Sequence, residues 1–348
     1  MKATPSFAGF RKLQILLLAV ALLVSLSLPA FAARTVNFGH VAPPFHGMAK
    51  GIDAFAAHVK EKTNGKINIA TFPSGQLGGE RSMAEQVQAG TLPIACITTA
   101  VLQNFVKQAA VLDMPFLFPN RATAYAVLDD PEVQEKMFAL FPKKGFIAIG
   151  WGENEIRDFS NTKHPVHKPE DIKGLKVRVM NSPAYLDAFK QLGASPVAIP
   201  FPETYNALQT GVIDAQENPI LTSVLMKFTE VTRYVTKTQH ALTECVTVVS
   251  VDYWESLSKE EQQIFREAAK ICIDVNRSVN ADLHQSLPKL GISVDEYAKQ
   301  HNITIVELTD QERDAFRQAM TPMYDKYRKR IGADLFDFIL EKVDAHKQ

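Results

Sequence analysis

Three polar residues between positions 150 and 220 carry most of the recognisable chemistry. Arg178 lies inside GLKVRVM (174–180), between Val177 and Val179. Alternate strand residues face opposite sides, so if the valines enter a core, Arg178 faces away from it. There it meets bulk solvent or a cleft, and in a cleft its planar fork would grip a carboxylate through two hydrogen bonds. Arg157 lies in GWGENEIRDFSN (150–161), a Gly- and Asn-containing stretch between strands. A scaffold commonly presents ligand groups from such stretches. Asn218 follows GVIDAQE and precedes Pro219. Its amide can donate to or accept from a ligand, or close an Asx-type turn.

Catalytic patterns are missing. The chain has no G-x-S-x-G elbow, no Walker lysine after a glycine-rich loop and no H-E-x-x-H helix. GQLGGE (75–80) has three glycines without phosphate-loop spacing and reads as a turn opening a helix. His164 and His167 flank Pro165 and Val166, a poor helical ligand pair with no nearby Cys or carboxylate cluster. The expectation is a protein without catalytic residues, metal or cofactor.

The elements that must position these residues alternate. Short β-branched runs recur at 35–41, 67–72, 92–98, 145–150, 174–180, 195–200, 245–251 and 303–308. Between them, residues 48–61 place Met48, Ile52, Phe55, Ala56 and Val59 on one helical face, and 182–192 and 202–210 read the same way. This is the pattern of an α/β fold. Ser258 with Glu261 forms a capping box that predicts a helix to about Leu283, long enough to brace two domains. Thr309 with Glu312 forms a second box.

Composition sets the frame. The 348 residues are 46% apolar, 22% charged and 9% aromatic, an ordinary globular composition with room for two cores. Lys plus Arg equals Asp plus Glu, 38 each, so no basic excess exists to hold nucleic acid. Lys2, Arg11 and Lys12 precede an apolar run at 13–28, then Pro29 and Ala30-Phe31-Ala32. As a helix the run spans about 24 Å, short of a hydrocarbon core of roughly 30 Å. It reads as a signal peptide cleaved near Ala32. Cleavage leaves 35 positive against 38 negative side chains, a net charge of −3. No cysteine follows the site to carry lipid, so a soluble periplasmic protein is expected. Cys96, Cys245 and Cys272 sit in apolar surroundings and read as buried hydrophobes.

The segment GLKVRVMNSPAYLDAFKQLGASPVAIPFPETYNALQTGVIDAQENPI (174–220) resembles the signature of a known family. It is similar to the solute-binding subunits of tripartite ATP-independent periplasmic (TRAP) transporters, the dicarboxylate-binding DctP type. TNGKINIATFPSGQLGGERSMAEQVQAGTL (63–92), LDMPFLFPN (112–120) and residues 236–269 match further family blocks in order, so the resemblance spans almost the whole mature chain. It implies a two-lobed α/β solute-binding fold with an interlobe cleft and a long bracing helix. It also implies a small organic anion held between closing lobes, and delivery, mostly by a monomer, to a permease with small and large membrane subunits. On this reading residues 33–154 with about 244–283 form lobe I, and 155–243 with about 284–348 form lobe II. The family's carboxylate-clamping arginine falls on Arg178, a second ligand-facing arginine on Arg157, and its ligand-contacting asparagine on Asn218.

Specificity candidates are His46, Glu80, Trp151, Glu153, Glu155, Phe201 and Glu244. Trp151 and Phe201 could wall a pocket. Glu153 and Glu155 would face solvent, or meet hydroxyls or an amino group on the ligand. Two available arginines favour a C4-dicarboxylate, with a short hydroxy acid, uronate or sulfonate as the alternative. A cleft-facing Arg157 is expected to matter little for apo stability; an Arg157 paired with Asp158 or Glu155 would matter more. An exported enzyme acting on a small acid is the competing class, and no base beside the clamp supports it.

Overall fold

The computed structural model of the protein describes residues 33–287 and 290–347. The expected signal peptide, residues 1–32, lies outside the described residues. Among them run nine strands of one mixed sheet: β1 (Arg34–Gly39), β2 (Ile67–Phe72), β3 (Ile94–Thr98), β4 (Phe146–Asn161), β5 (Lys176–Val179), β6 (Ser195–Ala198), β7 (Ala215–Asn218), β8 (Tyr234–Ser250) and β9 (Thr304–Glu307). The order is β2-β1-β3-β8-β4-β7-β5-β6, with β9 also on β8.

Two strands join the halves. β4 and β8 have 16 and 17 residues and run antiparallel along most of their length. At one end they continue the sheet of β1, β2 and β3; at the other they carry β7, β5, β6 and β9. Their register slips between Glu153 and Ile156 and again between Arg157 and Phe159, where the strands cross from one half to the other. Glu155 sits in that crossing with φ +61°, a left-handed conformation uncommon for a non-glycine residue.

The eight β-branched runs correspond to every strand but β7, while β4 continues past Gly150 to Asn161 and β8 begins at Tyr234, well before Cys245. The missing segments are polar. Glu153, Glu155, Arg157, Gln216, Glu217, Asn218 and Glu244 are all buried, so no apolar alternation marks the strand that holds them. The helical expectations correspond to Gly47–Lys62, Pro183–Gln191 and, for 202–210, a short 3-10 turn followed by Thr204–Gln209. Both capping boxes form, at Ser258–Glu261 and Thr309–Glu312.

The helix Lys259–Gln285 packs against the helix Gly47–Lys62. Gly51 permits the contact, because a Cβ there would lie 2.3 Å from the Cys272 carbonyl oxygen. Phe55 is the hub beneath, edge-on to both Phe38 and Phe265 at 5.5 Å. All three cysteines are buried and free. In the other half, Val177 and Val179 are fully buried in the core with Phe159 and Phe189. The C-terminal helix Ala333–Ala345 reaches back onto the first half, where Lys342 pairs with Asp130 and Glu132, each at 2.8 Å. No helix among the described residues is long and apolar enough to cross a membrane.

Candidate functional site

A narrow cavity opens between the two halves of the sheet. One side carries His46, Glu80 and Thr98; the other carries Arg178, Phe201 and Asn218. Five residues named from sequence therefore meet here: His46, Glu80, Arg178, Phe201 and Asn218.

Among the described residues Arg178 is the only arginine or lysine lining the cavity. Val177 and Val179 enter the core, which turns Arg178 to the opposite face. The residue is 1% exposed. Its Nε donates to the Ile199 carbonyl at 2.8 Å, while Nη1 is buried without a partner. No carboxylate among the described residues lies within 4.0 Å to form an ion pair with it. Burial lowers its pKa to about 10, an effect that Glu217 only partly offsets and Arg157 adds to. Phe201 stands 5.9 Å from the guanidinium and backs it with an aromatic face.

Glu80 begins the helix Glu80–Gln88. Its carboxylate accepts from the Thr98 backbone N–H at 2.7 Å and the Thr98 hydroxyl at 3.1 Å. Burial raises its pKa, against the pull of those bonds and of Arg178. His46 caps the helix Gly47–Lys62. Its Nδ1 accepts from the Met48 N–H at 3.1 Å, so the proton sits on Nε2, 3.3 Å from Glu155 Oε1. The cavity thus offers an unpaired cation on one wall and an acceptor carboxylate on the other.

The seam beside the cavity is tight. Arg81 donates to Asn181 at 3.3 Å, Asn104 to the Asn181 carbonyl at 2.7 Å, and Gln103 to Ser182 at 2.7 Å. A Cβ on Gly79 would stand 3.2 Å from Pro200 Cβ. These contacts join 79–104 to 181–200 across the cleft.

Five sequence candidates lie elsewhere. Arg157 is fully buried and does not line the cavity. Its Nε bonds Glu217 Oε2, and Nη2 donates to Glu217 Oε1 at 3.0 Å and to the Glu217 carbonyl at 2.6 Å. The structural ion pair is therefore with Glu217 rather than the sequence neighbours Asp158 or Glu155, and the cleft-facing placement behind the expectation of a small effect on the apo fold is not what the structure has. Trp151 packs on Phe138 at 4.8 Å within the core and does not line the cavity. Glu153 accepts from Arg121 at 2.7 Å and Asn280 at 3.3 Å. Glu155 stands between His46 and Arg121. Both glutamates thus belong to an internal ion network and are buried from solvent. Glu244 is buried with both carboxylate oxygens unpartnered. Burial and then Asp113 push its pKa well above the usual carboxylate range.

Sequence reasoning missed Thr98, Asn154, Met180 and Thr222 on the cavity wall. Thr98 ends β3, and the carboxyl ends of such strands are where open α/β sheets bind ligands. Asn154 sits between Glu153 and Glu155. Among the described residues no group of three His, Cys, Asp or Glu side chains is placed to hold a metal ion.

Two sheet halves sharing crossing strands, with a buried anion-seeking cavity between them, define a two-lobed solute-binding protein. The chain belongs to the bacterial extracellular solute-binding proteins of family 7, the DctP type that serves TRAP transporters; the family profile matches residues 38–330. A solute-binding protein of Verminephrobacter eiseniae is 34% identical over 305 residues, covering 86% of this chain and 87% of its own. The sugar acid binding protein DctPAm of Advenella mimigardefordensis, solved with galactonate, superposes with a TM-score of 0.82 at 30% identity, covering 90% of this chain and 99% of that one. A TRAP periplasmic solute binding protein from Polaromonas, bound to D-erythronate, gives 0.80 at 32% identity, covering 88% and 98%.

Proposed function

We propose that this protein captures a hydroxylated monocarboxylic acid, of the aldonic or uronic type, and delivers it to a TRAP permease with small and large membrane subunits. It acts without catalysis, as a periplasmic protein released from its signal peptide near Ala32. The observation that carries the ligand class is the contrast between Arg178 and Arg157. One buried guanidinium faces the cavity with no counter-ion, so one ligand carboxylate completes it. The other already has Glu217, which removes the premise of two free arginines for a C4-dicarboxylate. Glu80 supplies an acceptor opposite, suited to a ligand hydroxyl. Galactonate and D-erythronate, the ligands of the two solved relatives, are both polyhydroxylated monoacids.

A C4-dicarboxylate stays as the second reading, because Arg157 Nη1 is buried without a partner. In either case residues 33–154 with about 244–283 act as one lobe and 155–243 with about 284–348 as the other, the last helix strapping both. The test is a thermal-shift panel of aldonates, uronates and C4-diacids, beside mass spectrometry of whatever acid the purified protein releases on denaturation. A ligand that binds only the native state raises its apparent stability. Aldonates or uronates should raise the melting temperature most; a shift confined to diacids would overturn the proposal.

A further inference from the structure

Asn218 lines the cavity, and its side-chain amide can show the ligand either a donor or an acceptor. The choice is made behind it. Arg157 Nη2 lies 3.0 Å from one terminal atom of Asn218. Arginine can only donate, so that atom is the oxygen. The amide nitrogen is therefore turned away from Arg157. One of its hydrogens goes to Gln216 Oε1. Gln216, committed there as an acceptor, donates through Nε2 to Ser160 at 2.7 Å and Ser223 at 3.0 Å. The second amide hydrogen of Asn218 has no acceptor among the described residues.

The chain of obligations starts at Glu217. Its carboxylate holds Arg157 through Nε and Nη2. Behind it, His240 Nε2 stands 3.5 Å from Glu217 Oε2, and His240 Nδ1 is 2.8 Å from the Thr238 hydroxyl. Every member of this set except Asn218 lies off the cavity wall. Arg178 pairs with Gln216 across the neighbouring parallel strands, which places Asn218 one strand over and two residues on from the anion anchor.

We propose that Glu217 and Arg157 are positioning residues that fix the polarity of Asn218, so that the cavity presents an N–H donor beside the Arg178 guanidinium. This rests on the reading of the cavity as a carboxylate site, and it narrows the ligand class. The ligand atom that meets Asn218 must accept a hydrogen bond. A carboxylate oxygen qualifies, and so does a hydroxyl or carbonyl oxygen on the adjacent carbon. An ammonium there has only donors and is turned away. Where that atom is the substituent on carbon 2, the site takes 2-hydroxy and 2-oxo acids and disfavours 2-amino acids, whose ammonium can only donate.

The test is a double-mutant cycle read by titration calorimetry with D-galactonate, with an apo melt for each variant. Asn218→Asp still gives Arg157 an acceptor but sets a second acceptor against Gln216 Oε1, so its apo melt should fall modestly while the protein stays folded. It shows the ligand an acceptor instead of a donor, and galactonate affinity should fall at least 100-fold, further than in Asn218→Ala. Glu217→Gln should cost at least 10-fold in the wild-type background and less than twofold in the Asn218→Ala background, because Glu217 acts only through Asn218. If Glu217→Gln does not fold, Glu217→Asp, which keeps the charge and shifts it by one carbon, takes its place. Asn218→Asp within threefold of wild type would overturn the fixed polarity. An equal Glu217 cost in both backgrounds would overturn the positioning role and assign Arg157 a direct ligand contact. A wild type that ignores galactonate but binds succinate fails the ligand reading alone, and the same cycle is then run on succinate with the same outcomes.

Discussion

Arg157 and Arg178 flank the same short strand, β7, one on β4 and the other on β5. Both are buried almost completely. They differ in who supplies the counter-charge. At Arg157 burial is the largest influence and would lower the pKa, yet Glu217, Tyr185 and Glu80 together outweigh it and raise the value. At Arg178 burial wins, and the value falls to about 10. A buried charge is costly unless paired and hydrogen-bonded. The fold completes the first arginine itself and leaves the second without a counter-charge. On the proposed function the first is a structural element and the second a recognition element, although sequence alone gives both the same appearance.

The largest expected effect falls on the completed pair. Arg157→Ala leaves Glu217 buried and unpaired and should lower apo stability by about 3–5 kcal/mol. Arg178→Ala removes an uncompensated cation and should leave apo stability unchanged or raise it. Denaturant melts of the two apo variants check the contrast. Equal losses would erase the distinction between the two sites.

How far the sequence shows this distinction depends on distance along the chain. The alternation in KVRV exposes Arg178 as a non-core residue, because its neighbours are plain valines. The capping boxes at Ser258 and Thr309 are legible because a cap is local. The Arg157–Glu217 pair spans 60 residues, and nothing in the GENEIRDF stretch points to Glu217. The acids beside Arg157 in sequence, Asp158 and Glu155, are directed elsewhere by the crossing of β4: Asp158 accepts from the Gln239 N–H at 3.2 Å, and Glu155 faces His46. The cavity side chains His46, Glu80 and Phe201 were reachable through resemblance to the family. Thr98, Asn154 and Thr222 are ordinary polar residues that only the folded geometry distinguishes.

A smaller effect sharpens the comparison from the opposite wall. If Glu80 accepts a ligand hydroxyl, Glu80→Gln should weaken D-erythronate by about 1.5–3 kcal/mol, the usual range for a hydrogen bond to a charged group. It should hardly affect butyrate, which has the carboxylate and no hydroxyl. Paired titrations of both acids measure the difference. An equal loss for the two would remove Glu80 from hydroxyl recognition.

The smallest effect concerns pH. Asp113 accepts from Thr99 at 2.9 Å and from Gln103 at 3.3 Å, and Gln103 in turn bridges to Ser182. Burial raises the Asp113 pKa to about 8, with the Thr99 bond opposing. The folded state thus keeps a proton that the unfolded chain releases near 3.8. Between those values the native state binds more protons, so this group's contribution to stability falls as pH rises from about 4 to about 8. Asp113→Asn removes the contribution. The melting temperature of wild type relative to that variant should be higher at pH 5 than at pH 8. A constant difference would mean that Asp113 titrates alike in both states.

The central claim is that Arg178 is the anion anchor and that its fork, beyond its charge, does the binding. Calorimetry of folded Arg178→Lys with D-galactonate tests it most directly. Truncating one partner of a desolvated, hydrogen-bonded charge pair costs about 2–5 kcal/mol, which is about 30-fold to several thousand-fold in affinity. Lysine keeps the positive charge but loses the planar pair of donors, so the account predicts a loss within that range. An affinity near wild type for the lysine variant would contradict it.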